Sequence, residues 1–363
     1  MAEDLSGSEC QSRIDQFVQV TNTDEALAQF FLQDRNWDVA SSITAFLEKD
    51  NSPRESSSSK RPHELSESNE IDSSKKTKLD TTELSISNDL KAFIMEQMNS
   101  NPLVTPEKLS FISWNIDGLD ERNLEKRTKD VVKTIQLRKV DIVFLQEVVS
   151  LSYGILKSKL SNDYWFTDEK EFYFTTVLVK KSTLNVKNVD VKPFNNTAMC
   201  RDLTTVKALL HNGTRLVLIN THLESTKEHA ESRMLQLKTA FEFVRRQDKS
   251  ASVILAGDMN ARDTEVAKVG IPDGVEDLWV ALGKRKECQY TWDTMRNTNL
   301  QMSGKFKPRC RFDRVYFRTS TDKEITAEHF GLCGIEKVPG MQCFPSDHWG
   351  IYCIFDIKTD NKS

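Results

Sequence analysis

Residues 204–223 read TTVKALLHNGTRLVLINTHL, two apolar runs joined at Asn212-Gly213, the second leading to a histidine, His222. Runs rich in Thr, Val, Leu and Ile that meet at Asn-Gly predict a β-hairpin, and the dipeptide predicts a type I′ turn with both central residues at positive φ. A hairpin pairs its strands antiparallel. It therefore argues against the all-parallel sheet that alternating strands and helices would otherwise suggest. Working outward, LSFISWNI (109–116) and DIVFLQEV (141–148) read as buried strands separated by a charged amphipathic helix over 120–139. YFTTVLVKK (173–181) is a further strand, and HAESRMLQLKTAFEFVRR (229–246) predicts a long helix leading into the strand ASVILAGDMN (251–260). RFDRVYFR (311–318) and WGIYCIFDI (349–357) read as the last strands. Interleaved helices with hairpins predict an α+β fold, a four-layer α/β/β/α sandwich over residues 108–358.

Two segments precede it. Residues 11–49 hold three short helical patterns: Ile14, Phe17 and Val18; a middle helix with Thr23 as N-cap; and Trp37, Ala40, Ile43 and Leu47. Three helices in so short a span predict a small bundle with a marginal core. Residues 50–107 are dominated by Ser, Lys and Glu and are expected to form a flexible linker, with a short helix over 86–99. Its clusters Lys60-Arg61 and Lys75, Lys76 and Lys78 read either as a bipartite nuclear import signal or as a solvated charge run.

The whole chain has 363 residues, a formal net charge of −4 and a 38% hydrophobic fraction. A protein-wide positive field is excluded, so contacts to nucleic acid must be local. Seven cysteines at 10, 200, 288, 310, 333, 343 and 353 form no CxxC pair and no zinc spacing. No apolar run reaches the roughly 20 residues of a membrane span. The expectation is a soluble intracellular protein with reduced thiols and no membrane partner.

Polar residues recur where the apolar strand runs stop: Asn115 and Asp117, Glu147, His222, Asp258 and Asn260, Asp313, and the pair Asp347 and His348. Asn and Asp there can simply make turns. Glu147 and His222 are not turn residues, and carboxylates should not recur after buried runs unless something balances their charge. Carboxylates, amides and histidines without cysteine make a hard-ligand set suited to Mg²⁺ or Mn²⁺, and such sets hydrolyse phosphate esters.

SWNIDGL (113–119), LQEV (145–148), THLES (221–225), GDMNARD (257–263), YTWDT (290–294), RFDR (311–314) and SDHWG (346–350), in that order, resemble the endonuclease/exonuclease/phosphatase superfamily. EALAQFFLQDRNWDVASSITAFL resembles the UBA-like family, which binds ubiquitin; the alternative is a bundle that only docks on the rest of the protein. The combination resembles the branch that hydrolyses 5′-phosphotyrosyl links between DNA and trapped topoisomerase II, with a preference for single-stranded overhangs. Superfamily members that cut abasic sites carry Tyr where this chain has His222. The competing readings are another superfamily nuclease or phosphatase, and a ubiquitin-binding adaptor resting on bundle residues such as Phe31 or Leu47.

The resemblance implies roles. Glu147 would hold Mg²⁺, for which Mn²⁺ substitutes, with Asp347 and Asn115 or Asp117 nearby. Asp258 would orient or deprotonate the attacking water, helped by Asn260 and Asn115. His222, and His348 paired with Asp347, would donate to phosphate oxygens, and Asp313 would orient an imidazole. Trp292 and Phe312 would stack on unpaired bases or pack in the core, and Arg201, Arg233 and Arg262 would meet DNA phosphates. Arg233 reads equally as a solvated helix residue, and Tyr173 as a core strand residue. The nucleus is the expected compartment, with the cytoplasm second.

Overall fold

A computed structural model describes residues 7–21, 28, 32, 37–50, 105–300 and 307–358. The chain divides into two compact units, one through Pro102 and one from Leu103. In the first, helices α1 (Gly7–Thr21) and α2 (Val39–Asp50) surround a core of Ile14, Phe17, Ala28 and Leu32, with Trp37, Val39, Ile43 and Phe46 packed against it. Ala28 and Leu32 are helical; Thr23, Phe31 and the rest of the middle helix lie outside the described residues, as do the linker, its basic clusters and the 86–99 helix. Ala40 is exposed, so the inward stripe of α2 runs through Val39, Ile43 and Phe46 and not through Ala40. The side chain of Leu47 is outside the described residues. Asp38 caps α2 by accepting from the Ser41 amide at 2.7 Å.

The second unit holds two six-stranded sheets and a two-stranded one, β10 (Trp292–Asp293) with β11 (Arg309–Cys310). One has the order β13-β14-β1-β2-β4-β3, formed by Ile325–Cys333, Gly350–Ile357, Lys108–Asn115, Ile142–Val149, Tyr173–Lys180 and Tyr164–Phe166. The other has the order β5-β6-β7-β8-β12-β9, formed by Leu184–Pro193, Asp202–Leu210, Arg215–His222, Ala251–Asp258, Asp313–Arg318 and Glu276–Asp277. Each sheet carries one parallel pair, β1 with β2 and β7 with β8, flanked by antiparallel strands. The helices α3 (Leu124–Arg138) and α5 (Ala230–Arg246) make the two crossovers, with α4 (Ser150–Leu160) between them in the chain.

Period-two alternation decides the layers. Phe111, Phe144, Val177, Leu218, Ile254 and Val315 meet between the sheets. Ile112, Val143 and Leu145 face outward under Val131 and Ile135 of α3 and Leu156 of α4, while Val253 and Leu255 lie under Leu237 and Phe241 of α5. The architecture is thus α/β/β/α, and β6 and β7 pair antiparallel as the hairpin predicted. Helix α3 starts at Leu124 and not at 120, because Asp120 binds the Arg122 amide and Asn123 takes φ 56°.

The hairpin's turn differs from expectation. Gly213 alone of the pair has positive φ, 92°, and its amide bonds the Leu210 carbonyl at 2.9 Å. Asn212 instead accepts from the Thr214 amide at 3.0 Å. The loop is therefore a three-residue connection with glycine at the left-handed position, a G1-bulge arrangement.

Two glycines give a contrast. A Cβ at Gly213 meets nothing within 4 Å, whereas at Gly257, with φ 145°, it would lie 1.8 Å from the Thr221 carbonyl oxygen. Gly213→Ala is expected to cost about 1–2 kcal/mol in urea unfolding and leave catalysis unchanged. Gly257→Ala is expected to displace the end of β8, with a much larger loss of stability and of activity together.

Candidate active site

The inter-sheet core changes character along its length. Beyond Phe111, Phe144, Leu218 and Ile254 the inward positions become polar. Gln146 Nε2 donates to Asn220 Oδ1 at 2.8 Å, and Asn220 Nδ2 donates to the Leu145 and Thr176 carbonyls at 3.1 and 2.8 Å. One step further, all at the carboxyl ends of the parallel pairs, come Asn115, Glu147, His222 and Asp258. That is the edge at which open α/β sheets bind ligands.

Register explains much of the grouping. His222 aligns with Asp258 across β7 and β8, and Asp258 with Asp313 across β8 and β12. Three adjacent strands thus present His, Asp and Asp in one row on the inner face. Glu147 reaches the same space through a β-bulge: pairing between β2 and β4 shifts between Leu145 and Val148, and Glu147 has φ 53°. Asp117 and Asn260, at φ 51° and 50°, are likewise left-handed.

The side chains converge. Asn115 Nδ2 donates to Glu147 Oε1 at 2.9 Å and to Asp258 Oδ2 at 3.0 Å, linking the two sheets. Asn115 Oδ1 accepts from the Asp117 amide, and Asp258 Oδ1 from the Asn260 amide. His222 Nε2 stands 3.5 Å from Asp258 Oδ2 and 3.9 Å from Glu147 Oε1. His348 Nδ1 lies 2.7 Å from Asp313 Oδ2, with Nε2 3.8 Å from Asp258 Oδ2. The partner of His348 Nδ1 is therefore Asp313 and not Asp347. Asp347 approaches His348 Nε2 only to 4.0 Å and accepts from Trp292 Nε1 at 3.0 Å.

The two imidazoles are held in opposite states. Arg201 Nη1 is 2.8 Å from His222 Nδ1. A guanidinium can only donate, so Nδ1 carries the lone pair and Nε2 the hydrogen. Burial, then Arg201, pushes the His222 pKa well below its ordinary value. Burial also opposes charge on His348, but Asp313, Asp347 and Asp258 outweigh it and raise its pKa well above the usual range. His222 is a neutral donor and His348 an imidazolium. Against its own burial, Asp258 is kept ionised chiefly by the charge of His348, with the Asn115 amide donating to it.

The acidic end lacks such balance. Burial, then the Asp347 charge, raises Glu147 to about 7 and Asp117 well above its usual range. Asp117 Oδ2 is buried and takes no hydrogen bond from any described residue; Arg127 Nη1 stands 3.5 Å away. Carboxylates that repel one another and leave a buried oxygen without a hydrogen bond fit a divalent cation with oxygen ligands. Two groups of potential ligands lie close enough to share an ion, Glu147 with His222 and Asp258, and Asp258 with Asp313 and His348. Trp292 and Phe312 form a half-buried aromatic pair with ring centroids 5.7 Å apart, Trp292 bridging to His348. Tyr173 places its ring 6.5 Å from that of His222, under the Arg201 guanidinium.

The arginines separate. Arg262 is half exposed, with its Nη1 3.8 Å from Glu265 Oε1. Arg201 is buried against His222, so it belongs to the interior of the site. Arg233 is wholly buried, paired with Glu265 at 2.8 Å and donating to the Glu224, Ser225 and Thr226 carbonyls. It is neither a DNA contact nor a solvated residue. Sequence reading missed Arg127 and Ser346. Arg127 had a signal, since it falls on the α3 stripe with Leu124, Val131 and Ile135.

A model of the endonuclease/exonuclease/phosphatase family matches residues 112–348, and a UBA-like domain model matches residues 11–53. The chain belongs to the endonuclease/exonuclease/phosphatase family. Within it, the chain is 38% identical over 349 residues to tyrosyl-DNA phosphodiesterase 2 of Homo sapiens, covering 94% of this chain and 91% of that protein. Among solved structures, D. rerio tyrosyl-DNA phosphodiesterase 2 complexed with a single-strand DNA product matches at 38% identity and TM-score 0.66, covering 69% of this chain and all of that one. The C. elegans enzyme matches at 32% identity and TM-score 0.63, covering 97% of this chain and 95% of the other.

A pH dependence follows from Glu147. Below about 7 its carboxyl holds a proton that a cation must displace. Divalent-cation affinity should therefore fall about tenfold per unit as pH drops below that value and level off above it, and calorimetric titration should show Glu147→Gln losing the slope.

Proposed function

We propose that the protein hydrolyses the 5′-phosphotyrosyl bond between DNA and a trapped topoisomerase II, releasing the tyrosine and leaving a 5′-phosphate for double-strand break repair. One observation carries the reading: a neutral histidine, an imidazolium and an ionised aspartate converge beside the carboxylates of Glu147, Asp117 and Asp347, where burial and like charge push Glu147 up to about 7. The relatives' names supply the ester.

Mg²⁺ is the proposed cofactor, with Mn²⁺ substituting, since the donors are hard oxygens. Glu147 would hold it directly, with Asp347 and Asn115 or Asp117 nearby, some through water. A bound cation would supply charge stabilisation to the phosphate. Asp258 would orient the attacking water and accept its proton, and Asn260 fixes the Asp258 carboxylate through its amide. His222 Nε2–H and the His348 imidazolium would donate to non-bridging oxygens as negative charge grows there. Asp313 holds His348 in place. The leaving phenol has a reference pKa near 10, so it departs without a dedicated general acid, which a sugar alkoxide would need.

Arg262 and the Trp292–Phe312 pair form the proposed DNA contact, suited to single-stranded overhangs. The N-terminal unit is proposed to bind ubiquitin through its apolar surface. The nucleus, with the cytoplasm second, is the proposed compartment, reached through the 60–61 and 75–78 basic clusters.

Purified protein with Mg²⁺ should cleave a short DNA carrying 5′-phosphotyrosine and leave 3′-phosphotyrosine and an abasic duplex intact. Glu147→Ala and His348→Ala should each lower the rate at least about 100-fold. Cleavage of the abasic duplex would retain the site and replace the substrate. No cleavage of any of the three would favour an adaptor role.

A further inference from the structure

Arg127 is a fully buried arginine on the sheet-facing stripe of α3, in line with Leu124, Val131 and Ile135. Its Nε donates to the Arg122 carbonyl at 3.0 Å. Nη1 donates to the Ile116 and Pro345 carbonyls at 3.3 and 3.1 Å, and Nη2 to those of Asp117, at 2.9 Å, and Asp120. The guanidinium thus joins the loop after β1, the start of α3 and the segment leading into Asp347 and His348. A second stitch runs alongside: Ser346 Oγ donates to the Asn115 carbonyl at 2.6 Å and accepts from the His348 amide at 3.0 Å.

We propose that Arg127 is a positioning residue that assembles the acidic end of the site, acting through the planar fork of its guanidinium and not through its charge alone. Three features carry this. Asp117 has φ 51°, a conformation that a non-glycine residue keeps only when its surroundings over-determine it, and Arg127 binds the carbonyls on both sides of that residue's nitrogen and carbon. The Pro345 contact ties this backbone to the segment carrying Asp347, 218 residues distant from Arg127. The geometry uses donors on all three nitrogens in one plane, which an ammonium on a flexible stem cannot reproduce. The backbone around Asp117 and the segment carrying Asp347 are thereby held in one arrangement by a single side chain.

The inference rests on reading the Asp117, Glu147 and Asp347 group as a divalent-cation site, so cation binding is measured beside turnover. The full chain, Arg127→Lys and Arg127→Ala would be titrated with Mg²⁺ by calorimetry and by the Mg²⁺-induced rise in Tm, and kcat and KM measured on a 5′-phosphotyrosyl oligonucleotide. Arg127→Lys should lose about tenfold or more in Mg²⁺ affinity and in kcat, with KM little changed. Millimolar guanidinium should restore Mg²⁺ binding to Arg127→Ala, and should support its folding where the cavity destabilises it; methylammonium should do neither. Wild-type Mg²⁺ affinity in Arg127→Lys, or equal rescue by both cations, would overturn the positioning role while leaving the cation site intact. Absence of Mg²⁺ binding by the wild-type chain would overturn the cation reading and this inference with it.

Discussion

The site depends on one desolvated contact, His348 Nδ1 to Asp313 Oδ2 at 2.7 Å. Asp258 and Asp313 are register partners on adjacent strands, both essentially without solvent. Two carboxylates in such a place cannot both be charged without a cation against them. The imidazolium of His348 supplies that charge, touching Asp313 and facing Asp258. Removing one member of a buried pair typically costs about 3–5 kcal/mol, since the survivor is left as an uncompensated charge. The pairing therefore fixes the approach of the 344–350 segment to β8 and β12. Trp114 Nε1, donating to the His348 carbonyl at 2.9 Å, secures the other side of that segment.

Around this contact, position and protonation are set by the same bonds. Arg201 fixes both the ring plane of His222 and its tautomer, because it can only donate. Asp313 does the converse for His348. Two histidines of one reference pKa thus take different roles within one cleft, each through the group behind it. The strained backbone has a similar logic. Glu147 leaves the pleat at a bulge, and the loop it faces has no room for a side chain at Gly118, where a Cβ would lie 2.0 Å from the Glu147 carbonyl oxygen. Loop and bulge are packed backbone to backbone at this point.

Much of this was legible in the sequence because strand ends are local. Asn115, Asp117, Glu147, His222, Asp258, Asn260, Asp313, Asp347 and His348 each follow or precede an apolar run, and a rigid sheet brings such ends together. Which of them touch is not local. His348 has an acid as its immediate neighbour, but adjacent residues diverge, and the bond forms with Asp313 across 35 positions. The buried Arg233 was hidden for a different reason. Helical periodicity assigns a charged residue to solvent, and nothing nearby in the chain announces that Glu265 and three carbonyls will satisfy it. At Asn212-Gly213 the dipeptide located the turn, yet Asn212 found its acceptor role with Thr214 and stayed out of the left-handed region.

The two halves of the fold repeat one plan, a parallel pair with its crossover helix and antiparallel flanks, and neither half contains the site. Asn115, Glu147 and His348 come from one sheet or its loops, and His222, Asp258 and Asp313 from the other. What holds the halves in phase is polar as well as apolar. Apolar facing layers tolerate small slips, since dispersion is non-directional. The bonds from Gln146 to Asn220 and from Asn115 to Asp258 do not, because each has one acceptable geometry. Such buried polar contacts add little to stability relative to a well-packed apolar alternative. Their value here is registration: the layer that excludes slippage between the sheets lies directly beneath the layer that requires its absence.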